Sequence, residues 1–305
     1  MDRRRFLASA TGAALLPGVA LAQPAAPVLT RPIARNGERV PVLGMGTWLS
    51  FNVLAHDTEA LARRKQVLQA FFAGGGRLID SSPMYGSAEE MLGRLLPGVP
   101  GANALFSATK VWTPLGAHGP TQMRQSLAYW GLPRCDLMQV HNLLAWEAHL
   151  PTLRRWRAEG RVRHLGITTS HGNKHDTARA LIEREGRDLD TLQITYNPAD
   201  ARAEPLLRLA AERGMAVIVN RPFDGGRLLS RLQDEPLPAF AAELGCSAWA
   251  PLVLKWELAH PAVSCVIPAT SDPAHMAENL QALRGPLPDE TQRAWLGKLF
   301  EKRMG

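Results

Sequence analysis

The sequence predicts a (β/α)8 barrel, or TIM barrel, that begins with a β-hairpin, and two features of the chain predict this fold. Short apolar runs alternate with amphipathic stretches of helical period, and eight such runs occur. The runs are apolar throughout, as is typical of parallel strands that are buried on both faces. The expected strands are residues 42–47, 77–80, 104–109, 136–140, 164–168, 191–196, 216–220 and 265–268, and the expected helices include residues 58–73, 88–96, 121–130, 150–159, 176–185, 204–213 and 273–283.

The hairpin is expected directly before the barrel. Asn36-Gly37 lies between the apolar residues Ile33 and Val40, and this dipeptide favours the tight turn of a two-stranded hairpin. Residues 23–32 contain three prolines, which oppose a helix, so we expect an extended linker there. The barrel domain is therefore expected to span residues 33–305.

An open, doubly wound sheet is the alternative arrangement of the same elements. That fold usually has a turn with three spaced glycines after its first strand. The segment 44–48 has Gly44 and Gly46 but lacks the third glycine, and the glycines at 74–76 follow a helix, where they indicate a helix end and a turn. The sequence thus favours the barrel.

Residues 1–22 have the pattern of an export signal. Arg3-Arg4-Arg5 precedes an apolar stretch rich in small residues, and Ala20-Leu21-Ala22 has small residues at the two positions that signal peptidase reads. The paired arginines before Phe6-Leu7 resemble a bacterial twin-arginine signal. We expect transport by the twin-arginine translocation machinery, cleavage after Ala22 and a periplasmic location. An ordinary secretory signal and an uncleaved anchor are the alternatives, although the stretch is too short for a stable membrane anchor.

The net charge of +7 comes from 35 Lys and Arg against 28 Asp and Glu in 305 residues. Residues 1–22 contain three of the arginines and one aspartate, so the rest of the chain has 32 basic and 27 acidic residues, or +5. The two signs are interspersed, which is typical of solvated helix faces, so we expect no nucleic-acid partner. The three cysteines are too few and too scattered for a disulfide scaffold or a zinc site, and we expect buried thiols.

Polar side chains follow or end several of the expected barrel strands. Asp80 ends the second strand and Tyr85 follows it, Lys110 comes directly after the third, and His141 comes directly after the fourth. The carboxyl ends of barrel strands meet at one face, which holds the active site in this fold. Each residue alone has an ordinary structural explanation, such as a turn acceptor or a solvated ammonium. Together they predict one site.

The segments around these residues resemble the aldo-keto reductase family, and the similarity extends from about residue 33 to residue 283. The matching segments are 44–48, 79–86, 108–112, 139–141, 166–169, 192–198, 267–268 and 277–279. The resemblance implies that Tyr85 donates a proton to a substrate carbonyl oxygen as a hydride reaches the carbon. It also implies that Lys110 lowers the pKa of Tyr85, that Asp80 orients Lys110, and that His141 hydrogen-bonds the substrate oxygen. No metal is implied.

The resemblance also implies a nicotinamide cofactor. Gln193, Thr168 and Thr169 match positions that hold the carboxamide, and Asn220 or Arg221 is expected along the nicotinamide ring or the pyrophosphate. The full expected cofactor set is Gly46, Thr47, Thr168, Thr169, Gln193, Asn220, Arg221, Thr270, His275, Glu278 and Asn279. Ala269 and His275 stand where many relatives have a lysine and an arginine for the adenosine 2′-phosphate. NADP(H) is the first choice and NAD(H) is possible.

The substrate pocket is expected to be open and apolar, with walls from Trp48 and Trp112 and a further candidate in Phe51. These features predict an NAD(P)H-dependent oxidoreductase that reduces aldehydes or ketones of small molecules, in a monomeric chain. Two alternatives remain. One is an exported barrel that binds or senses the cofactor with little turnover. The other is an unrelated hydrolase that uses Glu89 and Glu90, although adjacent helical positions point about 100° apart.

Overall fold

A computed structural model describes residues 27–304 and confirms the barrel. Residues 1–26, which include the expected export signal and the start of the linker, lie outside the described range. The strands are β1 (Thr30–Pro32), β2 (Arg39–Pro41), β3 (Met45–Gly46), β4 (Leu78–Asp80), β5 (Phe106–Val111), β6 (Cys135–Val140), β7 (Val162–Thr168), β8 (Thr191–Thr195), β9 (Ala216–Asn220) and β10 (Val263–Val266). The α-helices are α1 (Thr58–Ala73), α2 (Ala88–Leu95), α3 (Gly119–Trp130), α4 (Trp146–Ala158), α5 (His175–Glu185), α6 (Glu204–Glu212), α7 (Arg227–Leu232), α8 (Trp249–Leu258), α9 (Pro273–Asn279) and α10 (Glu290–Met304).

Strands β3 to β10 form a parallel sheet in chain order, which curls until its two edges meet. The Gly44 N–H donates to Val266 O at 2.8 Å, and the Gly46 N–H donates to Pro268 O at 3.0 Å. A Cβ on Gly46 would lie 3.0 Å from Ile267 O, which is closer than an ordinary contact. Glycine at this position therefore lets the first barrel strand approach the last one.

The hairpin of β1 and β2 closes the amino-terminal end of the barrel. Thr30 pairs with Pro41 and Pro32 with Arg39, so the hairpin includes residues that the sequence analysis places in the linker. Ile33 and Val40 are fully buried among inward-facing barrel residues. Glu38, in the turn, binds both Arg163 and His164 of β7. Apolar packing and ion pairs thus hold the hairpin against this end.

Inward-facing side chains change from apolar to polar along the barrel. On β5, Phe106 and Ala108 belong to the apolar interior, and Lys110 follows on the same face. On β4, Leu78 belongs to that interior and Asp80 follows. Because side chains alternate along a strand, these polar residues lie above the apolar interior, at the carboxyl end of the barrel.

The helices agree with the expected elements in part. The prediction of α1 is confirmed over its full length, and Asp57 caps it by accepting the Ala60 N–H at 2.9 Å. Helices α7 and α8 were not predicted. Every residue of α8 is buried, so its sequence has no polar face and lacks the periodic signal of a surface helix.

Helix α8 buries two ionisable side chains, of which one is hydrogen-bonded and the other is not. Lys255 Nζ donates to three backbone carbonyls, those of Leu244, Arg284 and Pro286, which joins the helix to the chain on both sides of it. Glu257 is also fully buried, but neither of its carboxyl oxygens has a hydrogen-bond partner among the described residues. Burial raises the pKa of Glu257 well above its usual range, because the charged form loses its hydration.

The three cysteines of the chain, Cys135, Cys246 and Cys265, are buried free thiols, as the sequence predicts. Within residues 27–304, no helix combines the length and the apolar composition that crossing a bilayer requires.

The raised pKa of Glu257 predicts a pH-dependent stability difference from Glu257→Gln. The unfolded chain loses this proton near the ordinary pKa of 4.5, whereas the folded chain keeps it to a higher pH. Wild-type stability therefore falls relative to Glu257→Gln as pH rises through that window, by about 1.4 kcal/mol per pH unit, or about 2–4 °C in Tm. Thermal unfolding between pH 4.5 and 8 measures this difference. Glu243→Gln, at an exposed glutamate, is the control, and a Tm difference for Glu257→Gln that stays constant with pH would contradict the assignment.

Candidate active site

A cleft of about 550 Å³ lies at the carboxyl end of the barrel. Loops that follow β3, β4, β6, β7, β9 and β10 contribute to its walls, since the residues that line it come from all of these segments. Its lining includes Asp80, Tyr85 and His141 of the four residues that the sequence singles out. The fourth, Lys110, is fully buried directly behind Asp80. The structure thus brings the four side chains together.

The buried ion pair of Lys110 and Asp80 forms the base of this cluster. Lys110 Nζ lies 2.5 Å from Asp80 Oδ2, and it also donates to Ser81 O at 2.7 Å. Burial by itself lowers the pKa of Lys110, but the Asp80 charge and the hydrogen bonds to Asp80 and Tyr85 outweigh it, so that the pKa is raised. Lys110 is therefore an ammonium at neutral pH.

Two glutamine amides hold the other oxygen of the Asp80 carboxylate. Gln139 Nε2 donates to Asp80 Oδ1 at 3.1 Å, and Gln193 Nε2 donates to the same atom at 2.8 Å. Gln139 is not among the predicted site residues, because that prediction rests on residues at or after strand ends and Gln139 lies within β6. The signal was nevertheless present, since Gln139 lies two residues before His141 and therefore on the same inward face of β6. Gln193 was expected at the cofactor, and here its amide nitrogen binds Asp80.

Tyr85 lies in the loop after β4, with Lys110 Nζ 4.9 Å from the centroid of its ring. Lys110 lowers the pKa of Tyr85, as expected, but burial outweighs this effect and the net shift is upward. Burial raises the pKa above 10, the Lys110 charge offsets part of that rise, and the Asp80 charge adds to it. Tyr85 therefore keeps its proton at neutral pH, and the Lys110 ammonium is close enough to stabilise a phenolate.

His141 follows β6 directly and packs edge-on against Tyr85, with ring centroids 5.7 Å apart and an interplanar angle of 85°. Its Nδ1 lies 2.9 Å from Ser82 Oγ. Burial, followed by the positive charge of Lys110, lowers the pKa of His141 to about 2. The imidazole is therefore neutral, with one N–H to donate.

Most of the expected cofactor residues line the cleft. Those that do are Gly46, Thr47, Thr168, Gln193, Asn220, Arg221, Thr270, His275, Glu278 and Asn279. Thr169 does not, because it is buried and its hydroxyl donates to Asn173 O at 2.7 Å. The Asn220 side chain is fixed on both sides, accepting from Thr195 Oγ1 at 2.7 Å and donating to Thr169 O at 3.0 Å.

Arg221 and Trp48 face each other in the wall of the cleft. The guanidinium carbon of Arg221 lies 5.5 Å from the centroid of the Trp48 ring, and the side chain also faces Asp224 at 3.6 Å. Arg221 has a φ of 52°, an unfavourable value for an arginine, and its carbonyl accepts from the buried Asn197 Nδ2 at 2.9 Å. The fold thus holds this cation at the cleft in a strained backbone conformation.

The two other expected wall residues lie elsewhere. Trp112 is 41% exposed and does not line the cleft, and Phe51 is fully buried in the core. Residues that the sequence analysis did not select take part instead: Leu49, Met84, Asn142, Ser170, His171 and Phe223. Leu49 and Met84 are adjacent in sequence to Trp48 and Tyr85, so proximity to the selected residues was the available signal.

Among the described residues, those that line the cleft near α9 include no lysine or arginine. Ala269 and His275 are exposed there, and the half-buried Thr270 and Glu278 also line this part of the cleft. Asp272 is close to this region, where it caps α9 and pairs with Arg63 at 2.7 Å. An added positive charge at position 269 would therefore lie in the cleft lining.

The hydrolase alternative fails on the placement of its carboxylates. Glu89 is buried outside the cleft, where it accepts hydrogen bonds from Thr109, Ser126 and Trp130. Glu90 is exposed. Neither side chain lines the cleft. Among residues 27–304, no group of three or more His, Cys, Asp or Glu side chains is arranged to hold a metal ion.

Comparison with known proteins identifies relatives over most of the chain. The profile of the aldo/keto reductase family matches residues 42–297. The chain is similar to the aldo-keto reductase str7 of Strobilurus tenacellus, with 27% identity over 292 residues that cover 83% of this chain and 84% of that protein. It is also similar to the pyridoxine 4-dehydrogenase of Escherichia coli, with 25% identity over 248 residues that cover 73% of this chain and 82% of that protein.

The chain is also similar to a solved structure of an aldo/keto reductase. The crystal structure of an aldo/keto reductase from Klebsiella pneumoniae in complex with NADP and acetate superimposes with a TM-score of 0.73 at 25% identity. The superposition covers 88% of this chain and 95% of that one.

Proposed function

Because the chain belongs to the aldo/keto reductase family, we propose that it is an NAD(P)H-dependent oxidoreductase that reduces aldehyde or ketone carbonyls of small molecules to alcohols. The observation that carries the proposal is the cluster of a buried Lys110–Asp80 ion pair, the Tyr85 phenol and the neutral His141 imidazole at the cleft. A reduced nicotinamide, when bound, supplies a hydride to the carbonyl carbon. The side chains of the protein supply the proton and orient the oxygen.

Tyr85 is the general acid in this proposal. Its raised pKa keeps the phenol protonated at neutral pH, so a proton is available whenever a substrate arrives. As the proton moves to the carbonyl oxygen, the Lys110 ammonium stabilises the phenolate that remains. Asp80 keeps Lys110 charged and fixed in position, because the ion pair opposes the effect of burial on the pKa of Lys110.

His141 orients the substrate oxygen. Because the pKa of His141 is far below neutrality, its ring carries no second proton that it could give up. The neutral imidazole therefore donates one N–H to a carbonyl oxygen without competing with Tyr85 as an acid. Its position at right angles to the Tyr85 ring allows the two groups to approach one oxygen from different directions.

The cleft residues fit a nicotinamide dinucleotide. The volume of about 550 Å³ is in the range of cofactor pockets, and the lining provides hydroxyl and amide groups from Thr168, Gln193 and Asn220 beside the reactive cluster. Arg221 provides a cation for the pyrophosphate, and Thr270 and Asn279 are available for the adenosine. We propose NADP(H) as the first choice, which the NADP complex of the relative from Klebsiella pneumoniae supports. Ala269 and His275 make weak discrimination against NAD(H) the expected result.

The substrate side of the cleft favours apolar carbonyl compounds. Trp48, Leu49 and Met84 line it and are each more than a third exposed, so they offer apolar surface to a ligand. Helix α10, which follows the last helix of the barrel, packs against α7. We therefore propose an open pocket that accepts a range of aldehydes and ketones. A cofactor-binding or sensing role with little turnover is the alternative, which export to a compartment without ready cofactor regeneration would favour.

We also propose that the protein is exported to the periplasm by the twin-arginine pathway. The support is the sequence of residues 1–22, with its paired arginines, its small apolar residues and the Ala20-Leu21-Ala22 site. The cleft is assembled from loops of six strands and exists only in the folded chain. A pathway that carries folded proteins is therefore compatible with cofactor loading before export.

Tyr85→Phe is expected to lower kcat by about 10²–10⁴-fold, because it removes the general acid and leaves the ring in place. Residues 23–305 are assayed with NADPH or NADH and a panel of aldehydes, and the loss of reduced cofactor is followed. Cofactor affinity should not change, and Tyr129→Phe, at an exposed tyrosine on α3, should behave as wild type. Binding without turnover over the whole panel would favour the sensing role, and failure to bind either nucleotide would contradict both functions.

Ala269→Lys is expected to tighten NADPH binding by about fivefold, with little effect on NADH, because one exposed ion pair to a 2′-phosphate contributes about 1 kcal/mol. Ala277→Lys adds the same charge at an exposed position of α9 outside the cleft lining and serves as the control. Titrations of both nucleotides by fluorescence measure the affinities. Equal changes for NADPH and NADH would remove position 269 from the 2′-phosphate site.

The export proposal predicts that the full chain, expressed in a bacterium with a working twin-arginine pathway, appears in the periplasm with Gln23 at its amino terminus. Arg4→Lys together with Arg5→Lys should leave the chain in the cytoplasm with its leader attached. Cell fractionation and mass spectrometry measure both. Unchanged export in a strain that lacks the twin-arginine translocase would show that another pathway is used.

A further inference from the structure

Ser82 is a fully buried serine that contacts His141 and that the mechanism above does not use. Its Oγ lies 2.9 Å from His141 Nδ1, and the Met84 N–H donates to the same oxygen at 3.2 Å. We propose that Ser82 is a positioning residue, which fixes His141 in the tautomer with the proton on Nε2 and directs that N–H to the substrate oxygen. The catalytic role of this tautomer rests on the proposed carbonyl reduction, but the tautomer itself can be measured without an activity assay.

The hydrogen bonds around Ser82 determine which atom donates to which. The Met84 N–H can only donate, so Ser82 Oγ accepts that bond. The hydroxyl has one proton of its own, and His141 Nδ1 is the acceptor within reach among the described residues. The opposite arrangement, with a proton on Nδ1, would leave a buried hydroxyl without an acceptor. His141 Nδ1 is therefore unprotonated and accepts the hydrogen bond from Ser82.

The remaining nitrogen then carries the proton. Because His141 is neutral, its ring has one N–H, and a lone pair on Nδ1 places that N–H on Nε2. The His141 side chain lines the cleft, where an N–H attracts a carbonyl oxygen and a lone pair would repel it. The correct tautomer is thus required for the role that the reduction assigns to His141.

The position of Ser82 is itself fixed by the ion pair and its surroundings. Lys110 Nζ donates to Ser81 O, and Thr47 Oγ1 lies 2.9 Å from Ser81 Oγ, so the residue before Ser82 is held on two sides. The Tyr85 N–H donates to Ser82 O at 2.9 Å. Ser82 therefore connects the backbone of Tyr85 to the ring of His141, and it couples the placement of the two groups that face the substrate.

The direct test is the tautomer of His141, read by nitrogen NMR of the imidazole in uniformly labelled protein without substrate. The signals are assigned by their loss in His141→Gln, since the chain has nine histidines. Wild type should have a protonated Nε2 and an unprotonated Nδ1 at pH 7. Ser82→Ala should populate the form with the proton on Nδ1, and Ser82→Thr, which keeps the hydroxyl, should restore the wild-type signals. A protonated Nδ1 in wild type, or identical signals in Ser82→Ala, would overturn the proposal.

The kinetic test uses the same variants. Ser82→Ala should lower kcat by about 10- to 100-fold, the range seen for hydrogen-bond partners that fix the tautomer of metal-binding histidines, with the affinity for NADPH unchanged. Ser82→Thr should recover most of that loss. Ser107→Ala, which removes a buried hydroxyl at the opposite end of the barrel, should keep the wild-type kcat and controls for general effects on folding. An unchanged kcat in Ser82→Ala would overturn the positioning role.

The two tests separate this inference from the proposed function. If the wild type reduces no carbonyl compound but shows the predicted tautomer and its loss in Ser82→Ala, the assignment of Ser82 is supported and the reductase function is contradicted. If the wild type is active and the tautomer is wrong, the reductase function stands and the assignment of Ser82 falls.

Discussion

The buried ion pair between Lys110 and Asp80 is the interaction on which the rest of the site depends. Placing two charges in a barrel interior is costly, and their mutual attraction compensates only when their remaining hydrogen-bonding groups are also satisfied. Here the Gln139 and Gln193 amides and the Ser81 carbonyl satisfy them. These partners come from β6, β8 and the loop after β4, so the pair joins separate parts of the barrel at one level. Removing one charge would leave the other buried and unpaired, which typically costs about 3–5 kcal/mol.

The same environment sets the protonation states of the neighbouring groups. Burial keeps Tyr85 protonated and, together with the Lys110 charge, keeps His141 neutral, while Asp80 keeps Lys110 charged. A proton donor, a neutral hydrogen-bond donor and a fixed cation are what carbonyl reduction requires of the protein. Their states are thus consequences of one buried pair and of the apolar interior below it.

The sequence predicted the barrel and the clustering of polar residues at its carboxyl end, because both depend on local patterns. The alternation of strands and helices indicates the fold, and strand ends indicate Asp80, Lys110 and His141. What it missed depends on tertiary contacts. Helix α8 has no polar face because other elements cover it completely, and the net pKa shift of Tyr85 depends on how deeply the folded chain buries it. The contact of Ser82 with His141 joins residues 59 positions apart, and no spacing rule indicates it.

The proposed reactive cluster and the proposed site for the nucleotide 2′-phosphate lie in different structural environments. Asp80, Lys110 and Gln193 are buried on strands, where a substitution disturbs the ion pair and the packing of the barrel. Ala269 and His275 are exposed in the segment that includes the start of α9, where we expect a change of charge to alter nucleotide binding without disturbing the core. The strained Arg221 is intermediate, since its backbone is held by the buried Asn197 while its side chain reaches the cleft. If the proposed sites are correct, substitutions near α9 alter the selectivity for a nucleotide phosphate while the reactive cluster stays the same, because the two depend on different parts of the structure.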